Sequence, residues 1–336
     1  MTEFQLGEKM SNEDVVNWLL EPSDPSVRFW ALKDLAGKAP GDPDVREAQA
    51  GVAESAPVKK ILAAQSPGGW WEGERDMYLP KYTASTHSLL ILAELGAPRS
   101  PAVERGVEHI FRFQRDSGHF FTELPATARG YASAVTDGIC LDANVLRYLA
   151  HFGYLDDPRT RRLLGFVARD HSPDAGWRCR SYPINPDGVF PKNCYMGATK
   201  MLTALSWIPP EKRTPEIRVI ITREVESVLE NGIYRYLRNP DGSRKEKAGW
   251  KRFGFPLFYQ SDALEVLDSL ARLGVRDGRV GPAMDLVRSK RRPDGRWLLE
   301  NTFNGKTPVD VDEKGKPSKW VTLRALRTLR RFGMAD

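Results

Sequence analysis

The chain has 336 residues, of which 41% are apolar and 28% are charged, and its formal net charge is +6. This length allows two ordinary domains or one large closed architecture, and the composition excludes a long disordered protein. Three cysteines exclude a disulfide scaffold and suit a reducing cytoplasm. The positive charge is not gathered into the basic stripe typical of nucleic-acid-binding proteins, so we expect no nucleic-acid partner.

The sequence shows no signal for export or for insertion into a membrane. The N-terminal stretch lacks a basic start followed by an apolar run. The chain also has no uninterrupted run of about 18 apolar residues, the length that predicts a membrane span. We therefore expect a cytoplasmic protein, a monomer or homodimer, that has at most peripheral contact with a membrane.

A short pair of helices is predicted first, over residues 14–37. After it, a motif recurs that consists of an amphipathic stretch, a polar residue, a turn and an aromatic residue. The copies are VKKILAAQSPGGWW (58–71), RGVEHIFRFQRDSGHF (105–120), RRLLGFVARDHSPDAGW (161–177) and GPAMDLVRSKRRPDGRW (281–297), with a degraded copy over 226–242. Their aromatic ends are Trp70, Phe120, Trp177 and Trp297. Each copy predicts an amphipathic outer helix.

More apolar helical segments alternate with these copies. They cover residues 82–97, 137–153, 193–207, 257–274 and 318–332. Glycines at positions 96, 153 and 274 predict the C-terminal ends of three of them. No segment alternates with a period of two, so the sequence predicts an all-α fold. The basic runs over 288–292 and 324–331 are expected to be solvated helix faces.

The number and the length of these helix pairs favour a closed ring. Six pairs share 336 residues, which is long for an open solenoid, whose repeats usually take about 34–47 residues. We predict one (α/α)6 barrel, a toroid of six helical hairpins, as a single domain over residues 1–336. Its first hairpin lies at 14–37 and its last at 281–332. Apolar inner helices would line a central cavity, and the long loops before them would gather at one mouth, where a site is expected.

The segments KKILAAQSPGGW and RGVEHIFRFQRDSGHF resemble the QW repeats of the terpenoid cyclase and protein prenyltransferase superfamily. The resemblance extends over residues 14–332 and implies an α/α toroid with isoprenoid chemistry. The chain looks most like the single-toroid bacterial prenyltransferase/squalene-oxidase repeat proteins. It departs from squalene–hopene-type cyclases, because its nearest match to their D-x-D-D motif is Asp310-Val311-Asp312-Glu313. It departs from protein prenyltransferases in the placement of its cysteines.

All three cysteines are expected at the mouth of the barrel. Cys140 lies in the first turn of the third inner helix, Cys179 follows the third aromatic end, and Cys194 opens the fourth inner helix. Thiolates at neighbouring helix starts can share one ion, and His171 could complete four ligands, so we predict a zinc site. The alternative is that the cysteines are small buried core residues.

The fourth zinc ligand is open at this point. His171 occupies the position that Gln65 and Gln114 hold in other copies, where the side chain would satisfy backbone groups at a helix end. His87 and His119, also predicted near the mouth, are the other candidates for the fourth ligand.

Carboxylates near the mouth offer acid–base groups. Asp312, with Asp310 beside it, is the candidate catalytic acid, because like charges crowded together raise a pKa and keep a carboxyl protonated. The same segment also fits a solvated turn. Asp142 is a third catalytic candidate, while Asp137 and Asp262 could orient a ligand; these three could instead be helix caps.

Aromatic residues recur at the same level of the inner helices. They would line an apolar pocket and could stabilise a carbocation through cation–π attraction, or they could be ordinary core packing. Together with Asp137 and Asp262, the predicted substrate-binding set is Tyr82, His87, Tyr195, Phe258, Tyr259 and Trp320.

Three functional hypotheses follow. The first is a terpenoid cyclase-like enzyme that acts on an isoprenoid or other apolar small molecule in the cavity, with or without a catalytic zinc. The second is zinc-dependent peptide or thioether cyclase-like or transferase chemistry on the same barrel. The third is a toroid without catalysis that shields a lipid or a protein partner.

Overall fold

The computed structural model describes residues 12–127, 130, 138–173, 176–177 and 194–334. Within these ranges the chain forms thirteen α-helices, three short 3-10 helices and one two-stranded antiparallel sheet. The α-helices are α1 Asn12–Leu19, α2 Pro25–Asp34, α3 Pro43–Glu54, α4 Ala56–Ala63, α5 Ser85–Glu94, α6 Pro101–Phe111, α7 Ile139–His151, α8 Pro158–Asp170, α9 Tyr195–Ser206, α10 Pro215–Glu230, α11 Ala263–Arg272, α12 Gly281–Ser289 and α13 Lys319–Arg331.

The 3-10 helices are Pro210–Lys212, Ala248–Lys251 and Gly278–Val280, and the strands are β1 Leu237–Arg238 and β2 Arg244–Lys245, with Leu237 opposite Lys245. The prediction of a helical fold is confirmed. None of the described helices combines the length and the apolarity that crossing a bilayer requires.

Local sequence signals explain where the helices begin and end. The side chains of Asp24, Ser100 and Ser318 accept hydrogen bonds from backbone N–H groups in the first turns of α2, α6 and α13. Such caps satisfy N–H groups that have no partner inside a helix. The predicted glycine ends are confirmed, because a left-handed backbone with positive φ follows α5, α7 and α11 at Gly96, Gly153 and Gly274.

Burial separates the helices into an inner and an outer layer. Nine of the ten residues of α5 and ten of the thirteen residues of α13 are buried, against four of thirteen in α8 and three of nine in α12. In the inner layer α2 packs on α13, α13 on α11, α11 on α9, α9 on α7 and α7 on α5. The Trp30 indole N–H of α2 donates to the Glu94 carbonyl of α5 at 2.9 Å, which joins the two ends of this series.

The polar residue of the recurring motif links each outer helix to the next one. Gln65 donates from Nε2 to the Gly69 carbonyl at 3.0 Å and to the Ala102 carbonyl of α6 at 2.9 Å. Gln114 does the same with the Gly118 carbonyl and the Arg159 carbonyl of α8, both at 2.8 Å. The amide therefore holds its own turn and the first turn of the neighbouring helix together.

One of the four predicted aromatic ends of the motif was assigned to the wrong residue. The indoles of Trp71, Trp177 and Trp297 each donate to the carbonyl ten residues earlier, in the outer helix that precedes them, at 2.6, 3.0 and 2.7 Å. The equivalent residue of the first copy is thus Trp71, which is 2% exposed, and not Trp70. The sequence offered two adjacent tryptophans, and the preceding glycine turn places the second one in the core.

The fourth copy of the motif closes the outer layer. Arg291 occupies the position of the glutamines, and it donates to the Gly295 carbonyl at 3.3 Å and to the Asn12 side chain of α1. A Cβ on Gly295 would come within 2.6 Å of Val15, so α1 packs closely on this turn. The fourth copy of the motif therefore contacts the first helix of the chain, just as the earlier copies contact the next outer helix.

The interior of the barrel differs from the expected apolar lining. Arg324 and Arg327 of α13 are 8% and 7% exposed, so this part of the basic run over 324–331 is not a solvated face, whereas Arg330 is exposed. Arg327 donates to Asp268 at 2.8 Å and pairs with Asp34 at 3.1 Å, and Lys200 donates to Glu265 at 2.8 Å. These cations are tolerated inside because each has a carboxylate from another inner helix.

Candidate active site

Aromatic side chains surround a buried histidine at the N-terminal ends of the inner helices. His87 lies in the first turn of α5, and its ring centroid is 5.2 Å from that of Tyr78, 5.5 Å from Phe258 and 5.7 Å from both Tyr82 and Tyr259. We call Tyr78, Tyr82, His87, Phe258, Tyr259 and Phe303 the mouth cluster. Phe303 joins it through Tyr82 at 4.6 Å and Phe258 at 5.2 Å.

The surroundings of His87 keep its imidazole neutral. Its side chain is 1% exposed, and burial, together with the nearby Lys81 charge, lowers the pKa of His87 to about 3. Its Nε2 lies 3.3 Å from the Tyr259 hydroxyl, while its Nδ1 has no hydrogen-bond partner among the described residues. The His87 ring thus lies within hydrogen-bond distance of the Tyr259 hydroxyl.

Tyr259 connects the mouth cluster to the start of α7. Burial raises the pKa of Tyr259 well above its usual value, the neighbouring Tyr78 and Cys140 act in the same direction, and a hydrogen bond with Asn144 opposes them. The phenol therefore stays protonated at neutral pH. Because Tyr259 contacts both His87 and α7, it joins three parts of the chain that are distant in sequence.

The loop before α5 presents its aromatic residues through a fixed backbone. Asp76 Oδ1 accepts the N–H groups of Tyr78 and Leu79, both at 2.7 Å. Tyr82 has a φ of 77°, a left-handed conformation that costs a non-glycine residue about 1–3 kcal/mol and often marks a functional site. The Leu79 side chain is 54% exposed at this rim. Lys81 lies over the Tyr78 ring at 5.4 Å, so an apolar and a basic group adjoin the cluster.

Of the six ring-bearing residues predicted to bind substrate, four are brought together and two are not. Tyr82, His87, Phe258 and Tyr259 all lie in the mouth cluster. Tyr195 instead stacks on Tyr236 at 4.4 Å and donates its hydroxyl to the Ile233 carbonyl at 2.7 Å. Trp320 stacks on Phe255 at 4.1 Å, in a third aromatic group.

Two predicted aspartates hold backbone groups at inner-helix starts. Asp142 is 2% exposed and accepts the Phe120 N–H at 3.1 Å. Asp262 accepts the Glu265 N–H at the start of α11 and the Gly254 N–H, both at 2.8 Å. Burial raises the pKa of Asp262 to about 6, although the Arg324 charge acts against it.

The carboxylates before α13 have different surroundings. Asp312 accepts the Ser318 hydroxyl at 2.7 Å, and burial raises the pKa of Asp312 although that hydrogen bond lowers it. Asp310 is exposed and accepts the Gly305 N–H at 2.8 Å. Asn304 donates to the Asp312 carbonyl at 2.6 Å, which ties Asp312 to the loop that carries Phe303.

The predicted zinc ligands lie only partly within the described residues. Cys179 is outside them, as is Asp137 of the predicted substrate-binding set. Cys140 and Cys194 are half-buried, and Cys194 accepts the Gly197 N–H at 3.4 Å. His171 Nε2 lies 2.7 Å from Glu224 of α10, so this nitrogen already has a partner on the next outer helix. No three His, Cys, Asp or Glu side chains of the described ranges are grouped to hold a metal.

Sequence reasoning missed several members of the site. Tyr78 and Lys81 adjoin Tyr82 in the stretch YLPKY, whose density of aromatic and basic residues was the one available signal. Phe303 and Asn144 had none, because a loop phenylalanine and a helical asparagine show no pattern of their own.

Two open grooves lie on the outer surface formed by the described residues, away from the mouth cluster. One, of about 410 Å³, is lined by Leu155, Leu164 and Thr214, and the other, of about 450 Å³, by Pro101 and His109. Each of them offers an alternative place for a ligand.

Comparison with known proteins identifies the fold. No family model and no curated protein matches the sequence. Among solved structures, a glycosyl hydrolase family 88 protein from Bacteroides vulgatus is 11% identical, with a TM-score of 0.52 over 97% of this chain and 100% of that one. The type II terpene cyclase MstE from Scytonema is 14% identical, with a TM-score of 0.45 over 99% and 91% of the two chains. An unsaturated glucuronyl hydrolase specific for heparin is 12% identical, with a TM-score of 0.45 over 95% and 86%. The chain thus has the α/α toroid fold that the resemblance predicted.

Proposed function

We propose that this protein is a terpenoid cyclase-like enzyme that binds an isoprenoid or another apolar small molecule at the mouth cluster. The observation that carries the proposal is the ring of aromatic side chains around a buried, neutral His87. Aromatic faces pack against apolar chains, and they attract developing positive charge by about 0.5–2 kcal/mol for each well-placed ring. The basic Lys81 at the rim suits an anionic or polar end of such a molecule.

His87 and Tyr259 supply the proton-accepting half of this chemistry. In a cyclisation that passes through a carbocation, a C–H bond beside the cationic carbon breaks and its electrons form a C=C bond. The Tyr259 oxygen would take that proton while its own proton passes to His87 Nε2, 3.3 Å away. A weak base is sufficient, because a C–H bond beside a carbocation is strongly acidic.

Asp312 is the proposed acid that starts the reaction. Burial raises its pKa, as a group that must stay protonated requires. Its connection through Asn304 to the loop of Phe303 supports a role next to the cluster. Asp142 has a backbone partner in Phe120 and is proposed to position the start of α7.

Asp312→Asn, compared with Asp310→Asn, tests this proposal. Product formation is followed by mass spectrometry with isoprenoid alcohols, carboxylates and diphosphates of increasing chain length. We expect turnover by the parent chain, a loss of at least about 100-fold in Asp312→Asn with ligand binding kept, and near-parent turnover in Asp310→Asn. Full activity of Asp312→Asn would remove this acid, and turnover of an unsaturated glucuronide alone would overturn the proposed function.

A zinc ion shared by Cys140, Cys179 and Cys194 is a separate proposal. Cys179 lies outside the described residues, and His171 has Glu224 as its partner, so we derive no reaction step through zinc. Elemental analysis of the purified protein tests the site. Stoichiometric zinc that is lost in Cys194→Ser supports it, and equal, negligible zinc in both proteins rejects it.

A further inference from the structure

A small cavity lies inside the barrel, below the mouth cluster. Residues from α2, α5, α7 and α13 line it, among them Glu94, Arg147, Trp320, Arg324 and Arg327. Its volume is about 10 Å³, which is room for one water-sized particle and not for a phosphate or a carboxylic acid. Arg147 and Trp320 are 4% and 5% exposed, so the lining is shielded from solvent.

The lining has more hydrogen-bond donors than acceptors. The Nε, Nη1 and Nη2 atoms of Arg147 and the Nε1 atom of Trp320 have no hydrogen-bond partner among the described residues. Arg147 Nη2 is 3.2 Å from Glu94 Oε1, but the two are not aligned as a hydrogen bond. Arg324 is also weakly held, at 3.5 Å from the Gly254 carbonyl and 3.9 Å from Glu94. Buried donors without acceptors are costly, so this set calls for an acceptor.

The charges around the cavity do not balance. Five guanidinium groups meet three carboxylates in this part of the barrel: Arg147, Arg272, Arg324, Arg327 and Arg331 against Asp34, Glu94 and Asp268. When the Asp262 carboxylate, whose charge interacts with that of Arg324, is also counted, one positive charge remains in excess. Arg272, Arg327 and Arg331 share the two carboxylates Asp34 and Asp268, so the excess lies in this group, and Arg327 of the group lines the cavity.

Arg147 remains charged in this place. Burial lowers the pKa of Arg147 to about 10, with Glu94 acting in the opposite direction. Its guanidinium also lies 3.5 Å from the centroid of the Trp207 ring, and the Arg272 guanidinium lies 3.9 Å from the same centroid. A water molecule in the cavity would bring two hydrogens of its own and no charge. A spherical anion would accept from every free N–H group.

We propose that this cavity binds one small monovalent anion of halide size, held by Arg147, Arg324 and the Trp320 indole N–H. Chloride is the expected occupant in ordinary salt. The ion would complete the ionic core between α5, α7 and α13 and would stabilise the folded ring.

Halide-dependent stability of the full chain is the first test. The protein is dialysed into sodium gluconate and titrated with sodium chloride or bromide at constant ionic strength. We expect the Tm to rise and saturate, by about 2–5 °C, because an ion that binds only the folded state stabilises it. A Tm that is the same in gluconate, chloride and bromide would overturn the proposal.

Two variants locate the effect. Trp320→Phe and Arg147→Met should remove most of the chloride-dependent rise in Tm, whereas Arg288→Met, on the exposed surface, should keep it. An unchanged rise in Trp320→Phe counts against this cavity.

Anomalous scattering from crystals of the parent protein soaked in bromide gives a measurement that does not depend on any variant folding. We expect a peak between Arg147, Arg324 and Trp320, and a map without that peak rejects the site.

Discussion

His87 shows how burial changes a single titratable group. A histidine in water has a pKa of about 6.5, but in this chain the aromatic rings around it lower that value to about 3. The native state therefore keeps a neutral imidazole where the unfolded chain would take up a proton. This group contributes stability that is present above about pH 6.5 and is lost as the pH falls towards the folded pKa.

Replacing His87 should reduce the sensitivity of the fold to acid. Between about pH 7 and about pH 5, the histidine should account for a loss of about 2 kcal/mol in the free energy of unfolding. His87→Gln lacks this titration, so its loss over the same interval should be smaller by that amount. Urea unfolding of both proteins at the two pH values measures the difference. Equal losses would show that His87 takes up a proton in the native state as readily as in the unfolded chain.

At the scale of elements, the repeated polar position of the motif organises the outer layer. Gln65 and Gln114 contact the backbone of the next outer helix, Arg291 contacts Asn12 of α1, and His171 pairs with Glu224 of α10. Four residues at one structural position thus make contacts of three kinds. His171 follows this pattern, which gives it a packing role that needs no metal.

Gln114→Ala should destabilise the junction of α6 and α8. The change leaves the carbonyls of Gly118 and Arg159 without their donor, and each lost hydrogen bond costs about 1 kcal/mol. We expect the free energy of unfolding to fall by about 1–3 kcal/mol in urea titrations. Ser117→Ala, an exposed change in the same turn, is the control and should have little effect. Identical midpoints for the two variants would contradict the role of the glutamine.

Periodicity and turn residues made the helices and much of the motif predictable. The glycine ends, the glutamine contacts and the alternation of outer and inner helices follow from local signals. The inward face of α13 was not predictable, since arginines at helical spacing look the same on a solvated face and on a buried one. Arg327 is buried because it pairs with Asp268 and with Asp34, and Asp34 lies almost 300 residues away in sequence.

The site was predictable in part for a related reason. The predicted helix starts gave the height of each aromatic residue along the barrel axis, and this height correctly grouped Tyr82, His87, Phe258 and Tyr259. The height does not say on which side of the barrel a residue lies. Tyr195 and Trp320 therefore lie at similar levels in other aromatic groups.

At the scale of the whole molecule, buried ion pairs join inner helices that are far apart in sequence. Asp34 at the end of α2 and Asp268 of α11 share Arg327 of α13. Arg272 and Arg331 complete the same network. Because these contacts connect the first inner helix to the last, they couple closure of the ring to its stability. We expect a single cooperative domain.

Asp268→Asn should destabilise the entire chain. The variant leaves Arg327 with half of its carboxylate partners in a buried place, and breaking such a pair costs about 3–5 kcal/mol. Calorimetry should show one transition at a lower Tm, and not a separate early transition of one half. The matched change Asp285→Asn, on the surface, should alter the free energy of unfolding by about 0.5 kcal/mol or less. Two independent transitions would contradict a cooperative ring.

The place where an apolar ligand binds is the central claim, and photo-crosslinking measures it directly. A photoreactive isoprenyl compound is irradiated with the protein, and the labelled peptides are identified by mass spectrometry. The same isoprenyl compound without the photoreactive group serves as the competitor. We expect competed labelling of residues 76–89 and 252–262, which carry most of the mouth cluster. Two results would contradict the proposed site. One is labelling confined to the outer grooves, near Leu155 and Leu164 or near Pro101 and His109. The other is labelling that the competitor does not reduce.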